Sequence, residues 1–303
     1  PSRGLGDVYK RQAIDSVGMG IDAAARRAFI GNEFTDGTTL YAEVSGKELR
    51  MGGSESFGEI KADLGGVIVG GEYTMGDWTF GALANLGTGT ARGQGDNSGV
   101  RNEVDYYGAQ AYATKRFGSF GVTGMLGYTT TSNDVSHSTV ALNKADVDAD
   151  VISLGVRGEA RFDVTQNAYV VPYVGLNYMR VSTDGYDTTQ GVTVDEIDQD
   201  LYTMPVGVKF VGNFASQSGW SFNPSVDVAY VAAFGDTDVE ATTQVGQVFG
   251  HTTMDVWTEN VGRATLGIEA RKGQLGVGVH AGYAFGDEDT QELFGQVRVG
   301  YHF

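Results

Sequence analysis

The sequence predicts an all-β fold, a 12-stranded antiparallel transmembrane β-barrel with an N-terminal α-helix in its pore, and three observations carry that reading. Apolar and polar residues alternate over long segments, those segments outrun ordinary globular strands, and the stretches joining them are alternately short and long. The alternation is plainest at the end of the chain. Odd positions from Leu293 read Leu, Gly, Val, Val, Tyr and Phe; even positions from Glu292 read Glu, Phe, Gln, Arg, Gly and His. One face is apolar and the other polar or small. The same pattern sets Leu275, Val277, Val279, Tyr283 and Phe285 against Gln274, Gly276, Gly278 and His280, and Ile152, Leu154 and Val156 against Ser153, Arg157 and Glu159.

Twelve segments read as strands: 38–46, 65–75, 78–90, 103–116, 120–131, 149–162, 168–181, 199–213, 219–235, 255–271, 274–286 and 291–303. Most run 11–16 residues, against about 5–6 for a globular strand and about 9–11 for a tilted membrane strand. Short turns at 75–77, 117–119, 163–167, 215–218 and 272–273 alternate with polar stretches at 47–64, 91–102, 132–148, 182–198, 236–254 and 287–290. Tight turns on one side and extended loops on the other are the asymmetry of an outer-membrane barrel. Tyr73, Trp78, Phe80, Phe117, Phe120, Trp220, Tyr301 and Phe303 gather at the short-turn ends, and Tyr128, Tyr178, Tyr202, Phe234, Trp257 and Phe285 at the other. Such belts suit amphipathic rings at two interfaces.

Composition narrows the function. With 21 basic and 38 acidic residues the net charge is −17, which argues against nucleic acid as a partner. The absence of cysteine excludes disulfides, thiol nucleophiles and zinc–thiolate sites. A mean hydropathy of −0.18 and no apolar run of about 18 residues exclude a spanning helix, whereas a barrel averages a lipid face with a polar lumen.

Residues 1–12 share no pattern with the rest of the chain and read as a non-native remnant of sequencing or cloning, with any export signal lying upstream. Residues 13–36 read as a pore-spanning helix and its connection, and 37–303 as the barrel. Ile14, Val17, Ile21, Ala24 and Ala28 recur at helical spacing, with Asp15 or Ser16 as N-cap and Gly31 as stop. From Asp15 to Ile30 such a helix extends about 24 Å, close to the height of the apolar band of an outer-membrane barrel. About twelve strands leave a lumen that one helix can plug. Val17, Ile21, Arg26, Arg27 and Phe29 are the expected pore-helix contacts. Glu43, Glu72, Arg157, Glu159, Arg161, Asp227, Arg263, Glu269 and Arg298 are the expected charged residues of the lumen wall.

A helix followed by roughly 270 residues of twelve strands, ending in Val-Gly-Tyr-His-Phe, resembles the C-terminal translocator (β-domain) of monomeric autotransporters. The resemblance covers about residues 13–303. It implies type V protein secretion in a Gram-negative bacterium: an integral outer-membrane monomer, embedded in lipid, that anchors an N-terminal passenger and exports it to the cell surface. Val297, Val299, Tyr301 and Phe303 match the terminal signal read by the barrel-assembly machinery. The resemblance implies no nucleotide, metal or other cofactor and no enzyme. Family members that cut themselves do so between two asparagines; here Glu33 follows Asn32.

Two other readings start from the residues. A porin-like diffusion channel shares the barrel signature. His137 and His251, with Asp134, Asp236 and Asp255, sit in loops and would suit an outer-membrane hydrolase, though no spacing motif joins them. Asp146, Asp148 and Asp150 open like a calcium loop, yet Val151 stands where the loop needs glycine and Arg157 where it needs glutamate. Glycines inside strands, including Gly70, Gly81, Gly108, Gly155, Gly175, Gly207 and Gly267, are expected to face the lumen and make room for the helix, some of them accepting neighbouring aromatic rings.

The terminal pattern yields a first expectation: deleting Phe303 lowers the amount of folded, outer-membrane barrel more than His302→Ala does. Equal amounts of the heat-modifiable form in membrane fractions of the two variants would contradict it.

Overall fold

The computed structural model describes residues 5–52, 59–93, 99–137, 144–187, 192–194, 197–235, 238–245, 248–255, 260–286 and 289–303. Among these, helix α1 (Leu5–Ala28) precedes twelve long strands. They are β1 (Gly37–Met51), β2 (Ile60–Met75), β3 (Trp78–Gly93), β4 (Val100–Phe117), β5 (Phe120–His137) and β6 (Lys144–Ala160). The second half holds β7 (Ala168–Thr183), β8 (Ile197–Gly212), β9 (Ser221–Gly235), β10 (Val261–Lys272), β11 (Leu275–Gly286) and β12 (Gln291–His302). Each pairs antiparallel with its sequence neighbour, and β12 pairs with β1 from Thr39↔His302 to Arg50↔Gln291. The sheet closes on itself. Hydrocarbon offers no water to unpaired N–H and C=O groups, so closure is what lets this sheet cross a bilayer.

The alternation read from the sequence is the alternation of the wall. Leu293, Val297, Val299, Tyr301 and Phe303 face outward, while Glu292 and Gln296 are buried inside. The exposed rings form the two belts: Trp78 and Phe80 stack at 5.5 Å near the short turns, and at the other end Tyr202 stacks on Phe234 at 5.4 Å and meets Tyr178 in a tilted contact at 5.1 Å. Trp257 lies outside the described residues. At two-residue turns Gly76, Gly118 and Gly273 take φ of 60°, 62° and 57°. The residue after each keeps negative φ, which is the II′ arrangement whose twist matches the strands.

Two expectations change. The stretches read as loops at 47–64, 91–102 and 132–148 begin and end as strand, because β1–β6 continue beyond the membrane with their pairing intact, for example Arg50↔Lys61 and Asp134↔Asp146. Likewise, most of 236–254 forms the hairpin Asp238–Val245 with Val248–Asp255. Polarity marks these segments as outside the membrane, but water accepts a polar strand whose backbone is paired.

The strand glycines face the lumen, and of the two uses expected of them it is the neighbouring side chains of the wall, rings above all, that fill their space. The Tyr41 ring lies over Gly70, Tyr112 over Gly81, Tyr173 over Gly207 and the His280 ring over Gly267; Gly108, Gly155 and Gly175 meet Thr129, Asn177 and Pro205. A ring from the adjacent strand lies flat only where the facing residue has no Cβ. Gly81→Val should therefore displace Tyr112 at about 1–3 kcal/mol, read as a lower unfolding temperature of the refolded barrel on a gel-shift assay; Gly118→Ala, a strained turn position with open space around its Cβ, should leave the Tyr112 hydroxyl contacts intact.

Candidate functional site

The lumen is filled by α1, which is longer than its periodicity indicates. Its 24 residues extend about 36 Å. Asp15 and Ser16 are mid-helix rather than caps: the Ser16 hydroxyl donates back to the Ala13 carbonyl at 2.7 Å, and Asp15 accepts from Arg11 Nε at 3.2 Å. Residues 5–12, which pattern alone excludes from the fold, are helical, and Tyr9, Lys10, Arg11 and Gln12 are buried. They read as patternless because several polar residues of the helix face polar wall: Gln12 Oε1 accepts from Asn102 Nδ2 at 2.6 Å, and Asn85 Nδ2 donates to the Ser16 carbonyl at 3.0 Å. The expected stop also moves. Asn32, not Gly31, closes the helix, donating from Nδ2 to the carbonyls of Arg26 and Arg27 at 2.8 and 3.1 Å.

The helix lies off-centre, packed on β2–β6. Val17, Ile21, Ala24 and Ala28 join Ile68, Leu83, Tyr112, Met125 and Val151 in the main apolar cluster. Phe29, just past the helix, packs with Ile30, Tyr169, Val171 and Val211, and Lys209 Nζ stands 4.1 Å from its ring centroid. Small cavities of about 80 and 60 Å³ separate the other helix face from the wall; Gly18, Asp22 and Ala25 line them with Arg157 and Arg263.

Each charged position named from the sequence stands on the inner wall or at its mouth. Arg26 reaches Glu43 at 2.6 Å. Arg27 pairs with Glu72, which also accepts from the Tyr112 hydroxyl at 2.7 Å, and Tyr112 meets the Tyr41 hydroxyl at 2.9 Å. Arg263 reaches Asp22 of the helix at 3.6 Å. The remaining residues bond along the wall. Arg298 pairs with Glu269, Arg157 lies 3.6 Å from Glu159 and 3.8 Å over the Tyr173 ring, and Tyr173 donates to Asp227 at 2.6 Å. Arg161 sits at the mouth, over Tyr169 and 3.1 Å from Asp163. Val297, Val299, Tyr301 and Phe303 lie on the lipid face, and the Phe303 N–H donates to the Thr38 carbonyl at 2.7 Å.

A second helix–wall junction is absent from the sequence-based expectations. Arg11 reaches Glu292 at 2.7 Å, and Lys47 Nζ lies 3.5 Å from Asp15 and 3.6 Å from Glu292. Lys47 and Glu292 share the parity of Glu43 and Arg298, so alternation marks them as lumenal; only Arg11, in the patternless first turns, carries no signal. The loop side chains of His137, Asp236, His251 and Asp255 lie outside the described residues. Asp134, Asp146, Asp148 and Asp150 are on the outward face of paired strands rather than in a loop.

These junctions fix the direction of the helix. Its N-terminal half meets β1 and β12 toward the long-loop end, at Lys47 and Glu292, and its C-terminal end meets Glu72 and Tyr169 toward the short turns, with the Tyr169 hydroxyl donating to the Gly31 carbonyl at 2.9 Å. Breaking one buried pair leaves its partner charged and dry, at about 3–5 kcal/mol. Arg27→Met should lower barrel stability by that amount in urea titrations, and Glu72→Met added to it should restore a large part.

The model of the family described as the autotransporter beta-domain matches residues 40–284. No curated protein matches by sequence. Among solved structures, the translocator domain of autotransporter NalP from Neisseria meningitidis is 17% identical with a TM-score of 0.76, covering 98% of this chain and 99% of its own. The transport unit of AIDA-I from Escherichia coli is 15% identical with a TM-score of 0.71 over 97% and 99%. The beta domain of the Bordetella autotransporter BrkA is 15% identical with a TM-score of 0.69 over 88% and 100%.

Proposed function

This chain belongs to the autotransporter beta-domain family, and from that membership we propose that α1 is the membrane-proximal linker of an N-terminal passenger, held in the pore that the passenger's chain leaves by. The barrel is an outer-membrane translocator domain of a Gram-negative bacterium. The observation that supports the linker reading is the direction of α1, whose N-terminal end points to the long-loop, cell-surface side while its C-terminal end joins β1 at the short-turn, periplasmic side. A passenger fused before the helix is therefore outside once the helix is seated.

Seating is an electrostatic and packing event. Arg11 at one level and Arg26 and Arg27 at another meet buried wall carboxylates at Glu292, Glu43 and Glu72. Each pair alone contributes little against its desolvation, but two levels of pairs define one axial register. The helix then serves as both plug and tether. No step draws on a bound cofactor, and the barrel serves as a conduit and anchor rather than as a catalyst. Lipid contacts its aromatic belts, the barrel-assembly machinery reads Val297, Val299, Tyr301 and Phe303, and one chain forms one pore.

Planar-bilayer recordings test the plug. Deleting residues 5–28 should raise single-pore conductance several-fold; an unchanged conductance would show that the helix does not occlude the pore. Surface display tests the tether: a reporter domain placed before Leu5, behind an export signal, should become accessible to external protease in intact cells, and a reporter found only in the periplasm would contradict export.

A further inference from the structure

Beyond the pore, the outward face of β1–β4 above the membrane carries a charge pattern that neither plugging nor export uses. The register sets Arg50 opposite Lys61, Lys61 opposite Arg92 and Arg92 opposite Arg101. All four side chains are exposed and lie on the face that lower down meets lipid, where Val44, Val67, Leu86 and Tyr107 occupy the same strands. Four cations thus stand in one row across four neighbouring strands, about 4.8 Å apart. Like charges directly opposite one another in a sheet are destabilising.

Neighbouring carboxylates relieve only the ends of the row. Arg50 lies 3.0 Å from Glu59 and Arg101 lies 2.9 Å from Glu103. Asp63, beneath the row, instead accepts from the Thr90 amide at 3.2 Å and the Thr90 hydroxyl at 2.8 Å. Among the described residues, Lys61 and Arg92 at the centre have no carboxylate within ion-pair distance. The platform beneath them is firm: on the inner side of the same extension Leu49, Met51, Ile60, Ala91 and Val100 pack together. The arrangement is local to this side, since the outward face of β5 and β6 carries Asp134, Asp146, Asp148 and Asp150.

Height identifies the partner. A strand tilted about 40° climbs about 2.6 Å per residue, so roughly ten residues cross an apolar band about 25 Å tall. On β1 a band that begins beside Leu40 reaches its outer edge about ten residues on, at Arg50, so this end of the row stands at the rim of the hydrocarbon. That is the level where lipid headgroups begin.

We propose that Arg50, Lys61, Arg92 and Arg101 form a binding strip for the phosphate-bearing saccharide headgroup of an outer-leaflet glycolipid, with Lys61 and Arg92 as its central contacts. A guanidinium and an ammonium side by side suit adjacent phosphate oxygens, and Lys61 and Arg92 project from the face of the wall that lower down meets lipid.

The experiment is native mass spectrometry of the full chain in detergent with purified diphosphorylated lipid A, beside Lys61→Gln/Arg92→Gln and the charge-preserving Lys61→Arg/Arg92→Lys. The wild type and the charge-preserving variant should retain the glycolipid. The neutral variant should bind it roughly thirtyfold more weakly while keeping the heat-modifiable mobility of a folded barrel. Dephosphorylated glycolipid should bind to none of the three. Equal retention by the wild type and the neutral variant would overturn the proposal, as would equal binding of the dephosphorylated lipid. Displacement by inorganic phosphate at matched concentration would mark a free-anion site and overturn the lipid assignment. Passenger display in the neutral variant separates this from translocation, which the strip does not serve and which should be unchanged.

Discussion

Backbone pairing in a medium without water governs this molecule. Every N–H and C=O at the level of the hydrocarbon must find a partner within the protein, and the sheet meets that demand by joining β12 to β1 over the length from Thr39 to Arg50. Closure has consequences that propagate inward. A closed wall of twelve strands has an inner face as extensive as its outer one, and that face must be filled by side chains, water or another segment of the chain. The choice here is a helix set against one side, with charged residues and small cavities on the other.

The inner wall and the helix solve each other's electrostatic problem. Glu43, Glu72 and Glu292 are almost fully buried, and an isolated buried carboxylate is costly. Arg26, Arg27 and Arg11 supply the counter-charges from the helix, two adjacent arginines at one end and a third at the other. A helix of this composition, with Gly18 and Gly20 in its interior, would be marginal alone in water. Its stability belongs to the pore. This mutual dependence ties the helix to the pore: it is stable where the wall supplies its partners.

Alternation made most of the wall legible. Because side chains in a strand have period two, Leu293 to Phe303 had to share one face and Glu292, Gln296 and Arg298 the other, and the structure keeps that parity throughout. The same rule extended to Lys47 and Glu292 would have revealed the second helix–wall junction. The first turns of the helix were illegible for a physical reason. Tyr9 packs on Val135 and Val147, but Arg11 and Gln12 beside it meet polar wall groups at Glu292 and Asn102, so the amphipathic signature that marks a helix against an apolar core is weak there. The extent of β3–β6 was equally hidden, since residues such as Asp134 and Asp146 have the composition of loops while their backbones continue the ladder.

The sequence by itself determined the fold class, the strand count, the sidedness and the belt of rings, because each comes from a local period or from the spacing between turns. It also determined which residues could face the lumen. Only the tertiary structure decided which of them meet: that Arg27 pairs with Glu72 under Tyr112, that Arg11 finds Glu292 almost the whole chain away, that Tyr41 and Tyr112 lie on Gly70 and Gly81, and that four basic residues from four strands fall into one row. Those are matters of register and of the axial position of the helix. They depend on how strands slide past one another and how deep a helix sits, quantities fixed by packing across the closed barrel and not by any stretch of neighbouring residues.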